Sequence, residues 1–507
     1  MPAIKINSVA LLGLSGTAIE IEVDISDGLP NYTLLGLPDS ALLEARDRVR
    51  SALQNSGYSW PNRKITISLS PAWLPKSGSN FDLPIAIGLL LSSRAIADTD
   101  FSKDLFLGEL GLNGQLRSVR GVLPALLYAK QCGFRRVYIP KENLAEANLI
   151  SGLQIYGFNS LIELVEFFHT GHYQNLESGN FKTEDELPLI DFADISGQKT
   201  AKFALQIAAV GGHHALLIGP PGAGKTMLAQ ALPGILPKLD SQTSLEVTSL
   251  HSIAGSNRNI YSNIAPFIAP HHTTTATALV GGGSQVIKPG AISLAHHGIL
   301  FIDEAPECKP GILDSLRQPL ETGTVTITRA IGSVTYPANF QLVLAANPCP
   351  CGKFSGRGRG CGCSQLQIRR YLNKLSGPLL DRIDLKLFVE QPTRAELSNI
   401  NQTDVPSSAD LRKQVENARA KSTARFNSFP WKTNSQIPTR YLRTEFVAEK
   451  SGMTFLHSEL DKERISARGF HKVLRTAWSI ADLQQTPRPN KEQIQLAFNL
   501  RTAGELD

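Results

Sequence analysis

The stretch "HHALLIGPPGAGKTMLAQAL" (His213–Leu232) runs from apolar residues through a glycine-rich turn into an amphipathic segment. It reads as strand, loop and helix. The loop holds Gly219, Pro220, Pro221, Gly222, Ala223, Gly224, Lys225 and Thr226, the G-x-x-x-x-G-K-[ST] spacing of a phosphate cradle. Its glycines let backbone N–H groups curl round phosphate oxygens without Cβ clashes. Lys225 is then placed for the β- and γ-phosphates and Thr226 for Mg2+. A strand that feeds such a loop belongs in a parallel sheet covered by helices.

Two further apolar runs support that reading. "HGILFIDEAP" (His297–Pro306) is strand-like and ends in Asp303 and Glu304. An Asp at a strand end can hold the Mg2+ shell, and the adjacent Glu can polarise water for in-line attack on a phosphate. "FQLVLAANP" (Phe340–Pro348) ends in Asn347, a polar side chain suited to orienting that water. An ordinary buried strand capped by two acids, or a turn at Asn-Pro, would explain either alone.

At 507 residues the chain is too long for one core, and two to four domains are expected. Residues 1–168 read as mixed α/β, with "TAIEIEVDI" (Thr17–Ile25) and "KITISLS" (Lys64–Ser70) alternating as strands do. "SALLEARDRVRSALQNSG" (Ser40–Gly57) has helical spacing. A polar linker is expected at 169–187, an α/β core at 188–391, and a mainly helical segment at 392–507, where "ADLRKQVENARAKSTARF" and "GFHKVLRTAWSIADLQ" are the clearest helices. The longest apolar run, "LPIAIGLLL" from Leu83, is about half of what spans a bilayer. The N-terminal residues lack the pattern of a secretion signal, so a cytoplasmic protein is expected.

"NPCPCGKFSGRGRGCGC" (Asn347–Cys363) holds Cys349, Cys351, Cys361 and Cys363, four of the chain's six cysteines. In a reducing compartment such a cluster reads as a metal site, with tetrahedral zinc first and free thiols or an iron–sulfur or redox role as alternatives. The loop also carries Lys353, Arg357 and Arg359. From Cys351 to Arg382 there are seven Lys or Arg and one acid, a surplus equal to the whole chain's net charge of +6. A patch of that kind fits an anionic partner, nucleic acid first, or a solvated face. The pairs His213-His214, His271-His272 and His296-His297, and the remaining Cys132 and Cys308, read as packing or polar contacts.

Together these motifs resemble the AAA+ ATPases. "DFADISGQ" (Asp191–Gln198) resembles the segment lining the adenine pocket there, which implies Ile195 and Gly197 as nucleotide contacts. "SGPLLDRIDL" (Ser376–Leu385) resembles the arginine-finger element and implies that Arg382 serves a neighbouring subunit's γ-phosphate. "RISARGFHKVLRTAWSIADL" (Arg464–Leu483) resembles the lid helix with the second sensor, matched at Arg468. An arginine working in trans implies a ring, a hexamer in most of the family.

Insertions narrow the resemblance. "APFIAPHHTTTATALVGGGSQVIKPGAISLAHHGILFIDE" (Ala265–Glu304) and the hairpin-like "LETGTVTITRAIGSVTYPANFQLV" (Leu320–Val343) are similar to those of the magnesium-chelatase-like branch. Its inserted loops face the ring channel, which implies Lys288 and Arg329 as nucleic-acid contacts. "LPKSGSNFDLPIAIGLLL" (Leu74–Leu91) and "GELGLNGQLRSVRGVLPALLYAKQCGFRRVYIPKEN" (Gly108–Asn143) resemble a Lon-protease-like α/β domain. Asn80 and Leu123 stand where its Ser nucleophile and Lys base belong, so no peptidase is expected. Lys76 and Ser77, nearby, do not restore the pair.

A Lon-like domain ahead of such an AAA+ module is similar to the bacterial YifB/ComM family over essentially the full length. The resemblance implies an ATP-driven hexameric DNA helicase acting in branch migration during natural transformation or recombination. Its cofactors would be ATP, Mg2+ and zinc. Its partners would be single-stranded, forked or branched DNA and recombination proteins, with no membrane. The alternative is a chelatase-like motor that remodels a protein partner.

Overall fold

The computed structural model describes residues 3–36, 39–72, 74, 79–97, 99–173, 190–256, 262–283, 286–330, 332–354, 360–393, 396 and 405–503. Arg357, Arg359, Lys76, Ser77 and most of the expected linker lie outside these residues. The preceding helix, Leu161–Thr170, runs to a Gly171 cap in the left-handed region (φ 69°).

The first sheet begins with β1 (Ile4–Leu12) and β2 (Ser15–Ser26), an antiparallel hairpin pairing Ile4 with Val23 and Leu12 with Ser15. Next come β3 (Asn31–Leu35), β4 (Lys64–Ser70) and β5 (Asp104–Phe106). A short hairpin of β6 (Glu109–Leu110) and β7 (Leu116–Arg117) precedes β8 (Arg136–Pro140) and β9 (Gln154–Phe158). Seven strands form one mixed sheet in the order β3-β4-β2-β1-β5-β8-β9. Alternation decides its faces. Ile6, Ile19, Ile21, Val23, Ile65, Ile67 and Leu69 share one core with the helix Asp82–Ser92. That helix is apolar nearly all round and buried from Asp82 to Leu91, as its sequence requires. Val9 and Leu105 share another core with the helix Val122–Gln131, which contains the fully buried Leu123. Leu123 thus packs in a different core from the helix that follows Asn80.

The second sheet contains β10 (Ala215–Ile218), β11 (Phe267–Ile268), β14 (Ile299–Ile302), β17 (Gln341–Ala346) and β18 (Leu385–Phe388), in the order β11-β14-β17-β10-β18. Every pairing in it is parallel. β10, β14 and β17 are buried along their whole length, as strands covered on both faces must be. Leu217, Phe301 and Val343 face a core shared with the helices Lys199–Gly211, Ser408–Arg425, Ala467–Leu483 and Lys491–Thr502. Leu216, Leu300 and Leu342 face the other core.

That other core is capped by two insertions. One is a short antiparallel pair, β12 (Gly281–Gly282) and β13 (Lys288–Pro289). The other is the hairpin β15 (Thr324–Arg329) and β16 (Gly332–Pro337). The first sheet leans on both this hairpin and the helix Ser241–Ala254. The turn at Gly13 (φ 64°) approaches β16 so closely that a Cβ there would lie 2.5 Å from Val334 Cγ1, and Gly121 N–H donates to Ser252 Oγ at 3.0 Å.

Candidate active site

Because β14, β17 and β10 are parallel neighbours, their carboxyl ends share one edge of the sheet, where ligands bind in open α/β sheets. The register pairs Ile218 with Ala346 and Ile302 with Leu344. The residues that follow are Gly219, Asn347 and Asp303. Three distant stretches of sequence therefore converge.

Within the loop, Gly222 (φ 75°) and Gly224 (φ 89°) take left-handed conformations that side chains resist, and Gly224 caps the helix Lys225–Ala231. Lys225 is only 8% exposed. Its ammonium donates to Gly219 O (2.6 Å), Pro220 O (3.0 Å) and Asn347 Oδ1 (3.2 Å). Burial pushes its pKa down, and the Asp303 and Glu304 carboxylates oppose that shift. Thr226 Oγ1 donates to Asp303 Oδ2 at 2.8 Å, so hydroxyl and carboxylate already share the place where a divalent ion would sit.

Glu304 follows with φ 48°, a strained conformation for a non-glycine residue, and its N–H donates to Asp303 Oδ1 (2.9 Å). Its carboxylate meets His272 Nδ1 at 3.1 Å. His272 was not among the expected site residues. It lies just beyond β11, and only the pairing of β11 with β14 brings it to Glu304. An apolar "PFI" before the histidines was the one available signal.

The segment before the first helix reaches the same loop. Ile195 is buried and Gly197 is left-handed (φ 64°). Gln198 Nε2 donates to Ala223 O (3.2 Å) and also to Glu390 O.

Arg382 and Arg468 lie elsewhere. Arg382 precedes β18, whose Leu385 pairs with Ala215 at the amino end of β10. It therefore stands at the amino edge of the sheet, opposite Lys225. β10 alone separates the edges by about 10 Å or more. Arg468 joins it, since Arg382 Nη2 and Arg468 Nη2 both donate to Glu321 Oε1, at 2.5 and 2.7 Å. Four residues on from Arg468, Lys472 donates to Asp384 Oδ1 (2.7 Å) and to Arg382 O (2.8 Å). The sheet separates both arginines from their own chain's phosphate loop.

The cysteine loop packs on that phosphate loop. Gly352 (φ 73°) approaches Pro221 so closely that a Cβ would lie 2.7 Å from its Cγ. All four Sγ atoms lie within 4.8 Å of one another. Three of the separations are 3.3, 3.7 and 3.6 Å. Tetrahedral thiolates at a Zn–S distance of ~2.3 Å stand about 3.8 Å apart, whereas a disulfide needs ~2.0 Å. Phe354 N–H also points at Cys349 Sγ (3.4 Å). The four residues fit a metal.

Glu246, His296 and His297 form a second compact group. His296 Nδ1 accepts the Asn339 N–H (2.9 Å), so the neutral ring carries its proton on Nε2, facing Glu246 at 3.4 Å. That tautomer suits a carboxylate contact rather than metal ligation. His213 and His214 are likewise engaged, with Ser479 Oγ (2.7 Å) and Leu342 N–H (3.0 Å).

The two insertions meet. Gly282 pairs with Lys288, and a Cβ on Gly282 would lie 3.0 Å from Arg329 Nη2. Tyr336 O–H donates to Ile287 O at 2.7 Å and ties hairpin to insert. Lys288 and Arg329, both exposed, therefore share one surface. Exposed Lys353 follows the carboxyl end of β17 instead, beside the phosphate loop.

Three family models match this chain: "Magnesium chelatase, subunit ChlI" over residues 191–397, "Subunit ChlI of Mg-chelatase" over 21–143, and "Magnesium chelatase, subunit ChlI C-terminal" over 406–501. Competence protein ComM of Haemophilus influenzae is 41% identical over 94% of this chain and 93% of its own length. The uncharacterised protein YifB of Escherichia coli is 39% identical over 99% and 97%. The chain belongs to the YifB/ComM family. An uncharacterised protein of Mycobacterium tuberculosis is 44% identical over 98% of both chains. The 38 kDa magnesium-chelatase subunit of Rhodobacter capsulatus is 27% identical over 32% of this chain and 51% of its own. The magnesium-chelatase-like AAA+ module of this family implies ATPase chemistry with ATP and Mg2+. Among the described residues no helix is long and apolar enough to cross a membrane.

Proposed function

We propose that this protein is an ATP-driven hexameric DNA helicase that promotes branch migration in natural transformation or recombination. One observation carries the reading. Lys225, Thr226, Asp303 and Glu304 converge on one edge of the sheet while Arg382 and Arg468 are paired at the opposite edge. A phosphate loop at one edge, and a pair of arginines at the edge away from it, is what a closed head-to-tail ring requires.

In this reading the Lys225 ammonium exchanges its loop carbonyls for the β- and γ-phosphates. Thr226 and Asp303 would hold Mg2+, which would supply positive charge against the phosphates. Glu304 accepts the proton of the attacking water, oriented by Asn347. The partner's arginines stabilise charge as the bond breaks, a contribution of about 10³-fold or more in related phosphoryl transfers. Cys349, Cys351, Cys361 and Cys363 would hold zinc, which would fix Gly352 against Pro221, and Lys353, Arg357 and Arg359 of the same stretch of sequence are offered to DNA phosphates. Lys288 and Arg329 contact DNA phosphates. The N-terminal domain has no peptidase activity, since Asn80 and Leu123 supply neither nucleophile nor base.

The test is steady-state ATP hydrolysis with single-stranded and forked DNA across a salt series. Stimulation that fades as salt rises is expected, because phosphate contacts are screened by counterions. Hydrolysis indifferent to every DNA would overturn the helicase and favour the chelatase-like motor. The match to chelatase subunit models is the observation that speaks for that second reading.

A further inference from the structure

Arg382 and Arg468 do more than lie close together. Both guanidinium groups converge on one atom, Glu321 Oε1, at 2.5 and 2.7 Å. Arg382 is additionally held by Pro378 O (2.6 Å), and its side chain is only 11% exposed. Arg468 is 45% exposed and Glu321 49%, so solvent reaches the cluster from that side. Two cations side by side repel unless an anion lies between them. A carboxylate oxygen bound by two guanidiniums has the charge and hydrogen-bond geometry of a phosphoryl oxygen bound by the same two groups.

We infer that Glu321 is a positioning residue that keeps Arg382 and Arg468 paired on one anionic oxygen, the place a neighbouring subunit's γ-phosphoryl oxygen takes when hydrolysis begins. The inference rests on the trans-acting arginines proposed above. It adds a restraint on them, since the phosphate must displace Glu321 before either arginine works. The fold also gives the restraint a handle. Glu321 lies in the four-residue helix Pro319–Thr322, and β15 starts at Thr324. Ala338 N–H donates to Gly323 O at 2.7 Å and closes the hairpin directly above it. A push on the hairpin, where Arg329 lies, moves the carboxylate through only Thr322 and Gly323. DNA in the channel would thereby free the arginines.

The experiment uses the full-length assembled protein. Glu321→Gln keeps the shape and removes the charge. Its hydrolysis rate without DNA is expected to rise about fivefold or more, within the usual range of coupling between sites. KM for ATP should stay near that of the unaltered chain, and DNA should add correspondingly less. Glu321→Asp, with the charge on a shorter arm, should fall between. A DNA-free rate that is unchanged or lower in both variants overturns the inference. The same outcome with loss of rings in light scattering also overturns it, because Glu321 would then be a structural brace. Arg382→Ala separates this from the reading beneath it. If Arg382→Ala hydrolyses ATP normally, the trans-arginine site itself fails. If it is inactive and Glu321→Gln is no faster, only the role of Glu321 fails.

Discussion

At the scale of single residues, the site separates holding from chemistry. Lys225 and the Thr226–Asp303 pair are bound into the protein by hydrogen bonds of 2.6–3.2 Å, so they are in place before a nucleotide arrives. Glu304 is held differently, by a strained backbone and the His272 imidazole. Glu304→Gln should therefore retain nucleotide in a fluorescent-ATP titration while hydrolysis falls about 10²-fold or more. His272→Ala should lower kcat several-fold with KM little changed, since it frees the base without touching phosphate. A larger change in KM than in kcat would show His272 to be a binding residue instead. Burial holds His213 and His214 down to about 4. An unfolded histidine titrates near ~6.5, so the unfolded chain binds more protons between those values and stability falls as pH drops from 6.5 towards 4. The cost is on the order of 2 kcal/mol per histidine at pH 5. His214→Asn keeps an acceptor for the Leu342 N–H without titrating, and its melting temperature should vary less between pH 7 and pH 5.

Elements show why the insertions matter. β12–β13 and β15–β16 are each too short to be stable alone, yet Tyr336 and the contact of Arg329 with Gly282 make them one unit. Along the exposed hairpin face, Thr326 pairs with Thr335 (3.0 Å) and Thr328 with Ser333 (3.2 Å), which leaves Arg329 as its charged group. Lys288→Ala and Arg329→Ala should each reduce the salt slope of DNA binding by about 1, with no change of sequence preference. A slope unaltered in both would place the DNA elsewhere. The cysteine loop is the other such element. Because Gly352 rests on Pro221, replacing Cys351 and Cys361 with serine should weaken ATP binding as well as zinc content by elemental analysis. Normal ATP affinity in a zinc-free variant would show that loop to be independent of the nucleotide site.

At the scale of the whole molecule, Lys225 and the Arg382–Arg468 pair lie at opposite edges of a sheet, and under the proposed function the activity would belong to an assembly. Mixing inactive Lys225→Ala with inactive Arg382→Ala should restore part of the hydrolysis, because some interfaces then join an intact loop to an intact arginine. No recovery at any ratio would mean that each chain supplies its own site. The residues that converge at the phosphate loop were legible in sequence because each belongs to a local pattern. Lys225, Thr226, Asp303, Glu304, Asn347 and the cysteine spacing were all read there, and the buried strands followed from their unbroken apolar runs. The meetings were not legible. That His272 reaches Glu304, that Lys288 lies by Arg329, and that one carboxylate, Glu321, gathers Arg382 and Arg468 depend on strand order and on the packing of the C-terminal helices. Periodicity fixes which face of an element is buried but says nothing about which element will cover it. The amino acids by themselves determined the phosphate-loop motif, the Asp303-Glu304 strand end and the cysteine spacing, because each is a local pattern. Only the tertiary structure decided that the arginines lie out of reach of their own phosphate loop, because strand order and direction arise from contacts between residues far apart in the chain.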